Sequence, residues 1–300
     1  MANPLIDVAL LVVPGVIWGA SFLFIAEGLT AVGPNGVTFT RLVIGFLTLS
    51  LFPSARQPVA RADWAGTAAL GVLWFAFPLS MFPFAEQHVS SALTGMLNGA
   101  TPLCVAAVAS LLAHRLPERG TLAGLVIGFS GAVVMALPAL GGSSSAFGVT
   151  LIMVALVSYG IALNVARPLQ QRNGAIPVVW RALGVALILT SPLGLPAVVN
   201  GHWTLRPALA MLGLGAGGTA IATILTATAA GRMGATKASA TAFLIPVVAL
   251  ILGVTIRHES VTAVSLAGAA ICLLGAAIIR DPKVFSSLLP GRFVRVSARV

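Results

Sequence analysis

The sequence predicts an all-α integral membrane protein of ten transmembrane helices, arranged as two inverted five-helix repeats, and three observations lead there. Of its 300 residues 58% are hydrophobic and only 8% charged, whereas soluble domains hold roughly 45–50% apolar and roughly 25% charged residues. Too few charges are present to clothe a water-facing globule. Apolar windows near the ~20 residues needed to cross a ~30 Å hydrocarbon core recur along the chain. The second half of the chain also echoes the first.

The windows follow in order, bounded by charged or Gly/Pro-rich breaks. The first, about 8–29, comes after Asp7 and carries Pro14, Trp18, Ser21 and Phe22; the second, about 34–53, carries Arg41. The third, about 64–85, follows Asp63, holds Trp74, Phe75, Phe77, Pro78 and Phe82, and stops before Glu86. The fourth, about 89–113, holds Thr94, Asn98, Thr101 and Pro102, and the fifth, about 121–140, holds Gly124 and Gly131. The run from Gly141 to Ser145 resembles a linker and falls at the midpoint of the chain. Beyond it lie windows at about 147–168 with Tyr159, 175–199 with Arg181, 206–231 with Thr219, Thr223 and Thr226, 236–256 with Pro246, and 262–279. Met1 to Asp7 lacks the basic start and cleavage site of a secretory signal, so the first window is expected to stay.

Net charge is +10. In a polytopic protein such an excess records topology rather than nucleic-acid binding, because Lys and Arg gather in cytoplasmic loops. With the first helix running outward, Arg56, Arg61, Arg115, Arg119, Arg167, Arg172, Arg232, Lys237, Arg280, Lys283, Arg292, Arg295 and Arg299 share one side, and only Arg206 and Arg257 take the other. Both termini are thus expected in the cytoplasm of a bacterial-type inner membrane.

At an offset of 144, Pro102 matches Pro246, His114 matches His258, Leu122 to Gly124 match Leu266 to Gly268, and Ile127, Gly131 and Ala132 match Ile271, Gly275 and Ala276. At an offset of 140, Arg41 matches Arg181 and Leu47 matches Leu187. Each half holds five windows, and five is odd, so the second copy enters the membrane from the opposite side. The expected division is 1–143, 144–283 and a basic tail, 284–300.

Inverted repeats place substrate near the midplane where the halves meet, which makes polar and aromatic residues within the windows the site candidates. Thr94, Asn98 and Thr101 form one polar stripe; Thr219, Thr223 and Thr226 repeat the device, with Thr219 and Thr223 as its candidate substrate contacts. An amide in hydrocarbon needs a partner or water, so Asn98 points to a cavity. Trp18, Phe22, Trp74, Phe77 and Tyr159, with Ser21, are the candidate walls for an amphipathic or aromatic solute. Pro78, Pro102 and Pro246 are candidate hinges. Arg41 and Arg181 lie about two turns deep and read as structural residues capping carbonyls, and Lys237 as a mark of topology.

No Asp or Glu lies deep in a window, which disfavours a cation/proton exchanger and favours a uniporter. Cys104 and Cys272 sit in apolar runs with no Cys-x-x-Cys, so neither disulfide nor metal is expected. The four histidines lie at window ends, and no phosphate-cradling loop occurs, so no enzyme, cofactor or ATP hydrolysis is expected.

Gly15, Trp18, Gly19, Ser21 and Phe22, then Arg41, Pro102, Gly124 and Gly131, and in the second copy Pro246, His258, Glu259, Gly268 and Gly275, resemble the drug/metabolite transporter superfamily with two EamA-type repeats, over about residues 8–280. One departure is Arg115, which stands where the second repeat has Glu259 and where an acidic residue is usual. The resemblance extends to YddG-type amino acid exporters and implies a basket of helices around a central cavity. It also implies alternating-access export of aromatic and other neutral amino acids, with no obligate protein partner. Export of drugs or other metabolites, proton coupling, and a non-transporting scaffold are the alternatives.

Overall fold

The computed structural model describes residues 4–139, 143–233 and 238–280. Lys237, Lys283, Arg292, Arg295 and Arg299, used in the charge count, and the 284–300 tail lie outside the described residues, as do Gly141 and Gly142 of the linker. The described residues contain helices and no strand. These helices are α1 (Pro4–Gly28), α2 (Pro34–Ser50), α3 (Arg61–Ala85), α4 (Ser91–Leu112), α5 (Arg119–Ala139), α6 (Ser143–Asn173), α7 (Ala175–Val199), α8 (Leu205–Met233), α9 (Thr241–Arg257) and α10 (Ala263–Arg280). Length and apolarity qualify seven of them, α1 and α3 to α8, to cross a bilayer; α9 and α10 are shorter apolar helices. Helix α2 has 17 residues, with Arg41 near its middle.

Local sequence sets the ends. Pro34 opens α2, where its missing N–H is no loss, and Ser90 Oγ accepts the Leu93 N–H at 3.2 Å to cap α4. Helices α4 and α9 are stopped by His114 (φ 49°) and His258 (φ 55°), the two positive-φ non-glycine residues among those described. The matched histidines of the sequence are therefore matched helix stops.

The interiors are interrupted in the same paired way. Helix α3 widens to a π-helix over Gly71–Ala76 and α8 over Gly213–Ile221, and the first segment shifted by 144 falls within the second. Helix α4 breaks at Gly99 and Ala100, while the first turn of α9 belongs to a 3₁₀ segment, Ser239–Phe243. Pro78, Pro102 and Pro246 each stand in the first turn after one of these breaks, where proline fits without removing a needed donor.

Packing follows a repeated plan. Helix α1 lies against α8 and α9 as α6 lies against α3 and α4; α2 packs on α7 and on the π segment of α8, and α7 on the π segment of α3; α4 pairs with α9 and α5 with α10. Outward-facing side chains such as Ile188, Leu193, Leu209 and Ile251 are more than half exposed, an apolar belt suited to hydrocarbon rather than water.

The α5–α10 contact is set by glycines, because small residues let helix backbones touch. A Cβ on Gly275 would meet the backbone of Gly128 and lie 2.6 Å from the Gly124 carbonyl oxygen; one on Gly131 would lie 2.8 Å from the Gly268 carbonyl oxygen. Gly275→Leu is expected to destabilise the protein by roughly 1–3 kcal/mol or more by forcing these backbones apart. Thermal unfolding in detergent tests this; an unchanged midpoint would contradict the tight contact.

Candidate binding cavity

A cavity of about 240 Å³ lies where α1, α2, α3, α4, α6, α8 and α9 converge. Helix α1 presents Trp18, Ser21, Phe22 and Ile25, the i, i+3, i+4, i+7 face of one helix. The π segment of α3 presents Trp74 and Phe75, followed by Leu79 and Phe82. Asn98 and Thr101 flank the break in α4; Tyr159 and Leu163 come from α6; Gly218, Thr219 and Thr223 from α8; Ala242 and Ile245 from α9; and Arg41 from α2.

The walls are tied together by hydrogen bonds made where helices are irregular. A π segment loosens the backbone ladder, and the Trp18 indole Nε1 donates to the Gly218 carbonyl of the α8 segment at 2.8 Å. One residue on, Thr219 Oγ1 accepts from Arg41 Nε at 2.9 Å and donates to the Leu214 carbonyl at 3.3 Å. Thr101 Oγ1 lies 2.7 Å from the Asn98 carbonyl and 3.3 Å from its Oδ1. Three rings close one end of the space: Phe82 stands edge-on to Phe22 and tilted against Tyr159, with centroids 5.8 Å apart in both pairs.

Exposure runs along the helices in a consistent direction. Toward the end of the molecule that holds Asp7, the lining residues Trp18, Trp74, Asn98, Thr101, Leu163, Thr223 and Ala242 are partly exposed. Toward the end that holds Glu27, Phe22, Ile25, Phe75, Leu79, Phe82 and Ile245 are buried. The cavity thus opens toward the Asp7 face and is shut toward the Glu27 face.

Charge reinforces the closed face. Glu27 pairs with Arg206 at 2.8 Å and Arg257 at 2.9 Å, joining the end of α1 to the start of α8 and the end of α9. Arg257 also meets Glu259 at 3.4 Å. Glu259 accepts from the Ser91 N–H and hydroxyl and the Ala92 N–H at 2.8–3.1 Å, a carboxylate seated on the positive N-terminus of α4. On the open face Asp7 pairs with Arg232 and Asp63 with Arg172.

Nine of the eleven residues expected to contact substrate do line the cavity. Phe77 does not: two residues from both Phe75 and Leu79, it falls on the opposite face of the helix, and it is 38% exposed. Thr94 is fully buried short of the cavity, its hydroxyl donating to the Ser90 carbonyl at 2.9 Å. The reading of Arg181 as a carbonyl-capping residue fits, since it donates to the Ala55 and Pro177 carbonyls and stands over the Trp64 and Trp180 rings. The same reading of Arg41 is corrected: it lines the cavity and its one hydrogen bond among the described residues goes to a threonine. Phe75 and Phe82, which belong to the aromatic concentration of the third window, also line the cavity; Leu79, Leu163, Ala242 and Ile245 are lining residues that no sequence signal singles out, and Ile25 continues the α1 stripe by one turn. Cys104 and Cys272 are buried free thiols, and among the described residues no group of three His, Cys, Asp or Glu converges to hold a metal.

Known proteins match the chain over most of its length. The EamA-like transporter family matches residues 5–137 and again residues 146–280. A protein of Streptantibioticus cattleyicolor named "Probable terminal-alkyne amino-acid exporter" is 26% identical over 90% of this chain and 91% of its own length. An uncharacterized transporter of Archaeoglobus fulgidus is 22% identical over 87% of this chain and 94% of its own. A solved crystal structure superposes with a TM-score of 0.62 at 19% identity, covering 96% of this chain and 98% of that one, which shows the shared fold.

Glu86, one residue past the end of α3, is the anomaly of the closed face. Both carboxyl oxygens are enclosed without a hydrogen-bond partner among the described residues. Burial, together with the Glu259 carboxylate, pushes its carboxyl well above the ordinary glutamate range, against the pull of Arg257 and Arg41. A pKa raised by folding means that the folded protein holds the proton, so stability is full at acid pH and is lost as pH climbs through the raised value. Glu86→Gln is therefore expected to raise the unfolding midpoint at alkaline pH, by the equivalent of about 1–3 kcal/mol, and to leave it unchanged at acid pH. Equal effects at both would contradict the enclosed carboxyl.

Proposed function

The chain belongs to the EamA-like transporter family, and we propose that it exports small amphipathic metabolites, foremost aromatic and other neutral amino acids, by alternating access without ATP. The observation that carries this is the cavity itself. It is small, walled by Trp18, Phe22, Trp74, Phe75 and Phe82, and holds a few convergent polar groups from Arg41, Asn98, Thr101 and Tyr159. At about 240 Å³ it falls below the ~300 Å³ at which pockets for drug-sized ligands begin, which favours a metabolite over a drug. The similar Streptantibioticus protein, by its name an amino-acid exporter, supports the same class.

The repeated packing plan supports ten crossings in two inverted repeats, divided near residue 143, with α2, α9 and α10 crossing as companions of longer helices. Arg56, Arg61, Arg115, Arg119, Arg167, Arg172 and Arg232 belong to the Asp7 face and Arg206 and Arg257 to the Glu27 face, which makes the Asp7 face cytoplasmic by the positive-inside rule. The inner membrane is then the setting, and the cavity opens to the cytoplasm, the loading state of an exporter. Pro78, Pro102 and Pro246, each beside a helix break, are the hinges about which the halves rock. No described carboxyl lines the cavity, which favours uniport.

Counterflow of radiolabelled phenylalanine into proteoliposomes, run against a panel of amino acids with and without a pH gradient, tests this. Transport is expected, insensitive to the gradient, and Trp74→Ala or Asn98→Ala is expected to lower it roughly threefold to tenfold, about 1 kcal/mol per lost contact, with the protein still folded. No counterflow of any amino acid would refute the substrate class. Strict dependence on the gradient would refute uniport alone.

A further inference from the structure

Resting on that reading, we propose that Arg41 is the carboxylate-binding residue of the cavity, and that the solute is selected for a carboxylate beside an apolar group with no protein charge reserved for an ammonium.

Arg41 is 8% exposed, so its guanidinium has left water. Its Nε is committed to Thr219 Oγ1. Its two terminal amino groups make no hydrogen bond with any described residue, yet they are not among the enclosed unpartnered atoms, so they are reached from the cavity that the side chain lines. The Nε bond holds the guanidinium in place and leaves its two terminal amino groups for an occupant of the space. A desolvated guanidinium with an unused fork lacks a planar anion, and a carboxylate matches it with two parallel hydrogen bonds.

No described residue supplies that anion. Among the described residues no Asp or Glu lines the cavity. Glu86 lies within electrostatic reach of Arg41, but its oxygens are sealed away and bonded to nothing described. Arg181, the counterpart of Arg41 in the second half, is spent on carbonyls. Every acceptor that the lining side chains offer an ammonium is neutral: Asn98 Oδ1, already facing the Thr101 hydroxyl, and the hydroxyls of Ser21, Thr101, Tyr159, Thr219 and Thr223. A carboxylate is therefore demanded and an amine merely accommodated, while the buried rings of Phe22, Phe75 and Phe82 receive the apolar group.

The test measures binding to the purified full-length protein in nanodiscs by calorimetry, with four probes of one shape: phenylalanine, 3-phenylpropionate, phenylalaninamide and phenethylamine. Phenylalanine and 3-phenylpropionate are expected to bind within a few-fold of each other. The two probes without a carboxylate are expected to bind roughly tenfold to hundredfold more weakly, the range of a charge-assisted hydrogen bond. Arg41→Gln is expected to erase the difference, and Arg41→Lys, which keeps the charge but loses the fork, to restore part of it. Should Arg41→Gln fail to fold, the acid-against-amide comparison on the unmodified protein still decides. Equal binding of phenylalanine and its amide overturns the role of Arg41 while leaving the amino-acid reading intact. Failure of all four probes to bind overturns both.

Discussion

A backbone carbonyl loosened from its ladder inside a bilayer must find another donor, because hydrocarbon offers none. The bond from the Trp18 indole to the Gly218 carbonyl meets that demand, and much of the cavity depends on it. The carbonyl lies in the π segment of α8, the donor on α1, and the bond fixes Trp18 as a wall. The neighbouring bond from Arg41 to Thr219 uses the same irregular segment to hold a charge from α2 in place. Two interactions one residue apart thus bind three helices around a space that regular helices would have packed shut. The corresponding π segment of α3 contributes Trp74 and Phe75 from the opposite wall.

The same economy explains why the two faces of the molecule differ. Glu259 caps the N-terminus of α4 and, through Arg257 and Glu27, ties it to α1, α8 and α9. A carboxylate at a helix N-terminus is favoured by both the free N–H groups and the helix dipole. The first repeat carries Arg115 at the matching position, an exposed cation that cannot serve an N-terminus. A sequence departure of one residue therefore coincides with the structural asymmetry, with a carboxylate latch on the closed face and none from its counterpart on the open one. The closed face also carries a cost, since it encloses Glu86 without a hydrogen-bond partner among the described residues.

What the sequence made legible was whatever depends on periodicity or on rare residues in pairs. The α1 stripe and the polar lining positions Asn98, Thr101, Thr219 and Thr223 follow from helical spacing, and the matched histidines and prolines mark equivalent stops and breaks. What stayed hidden depends on which face, depth and tertiary neighbours a side chain meets. Phe77 stands three residues from Trp74 but two from both Phe75 and Leu79, so only knowledge of which of these aromatics face the cavity puts it on the outer side. Thr94 keeps the spacing of its stripe but lies on the sealed side of the aromatic layer, a difference of depth rather than face. Arg41 and Arg181 have like positions in their repeats, and nothing local distinguishes the one whose fork meets carbonyls from the one whose fork meets a cavity. Only Ala55, Trp64 and Trp180, brought in by tertiary packing, separate them.

The aromatic layer unites recognition with closure. Phe22, Phe82 and Tyr159 each present one surface to the cavity and another to one another, so the side chains that form the floor of the site are those that shut it from the Glu27 face. A ligand shifts a conformational equilibrium only by its differential contacts with the two states. A site whose floor is independent of the barrier offers no such difference. Here any solute filling the apolar end touches the barrier itself, while a carboxylate on Arg41 is anchored to α2 and, through Thr219, to α8. The polar end of the site is thus fixed to one group of helices and the apolar end to another, spanning α1, α3 and α6, and an occupant in contact with both bridges the elements whose relative motion alternating access requires.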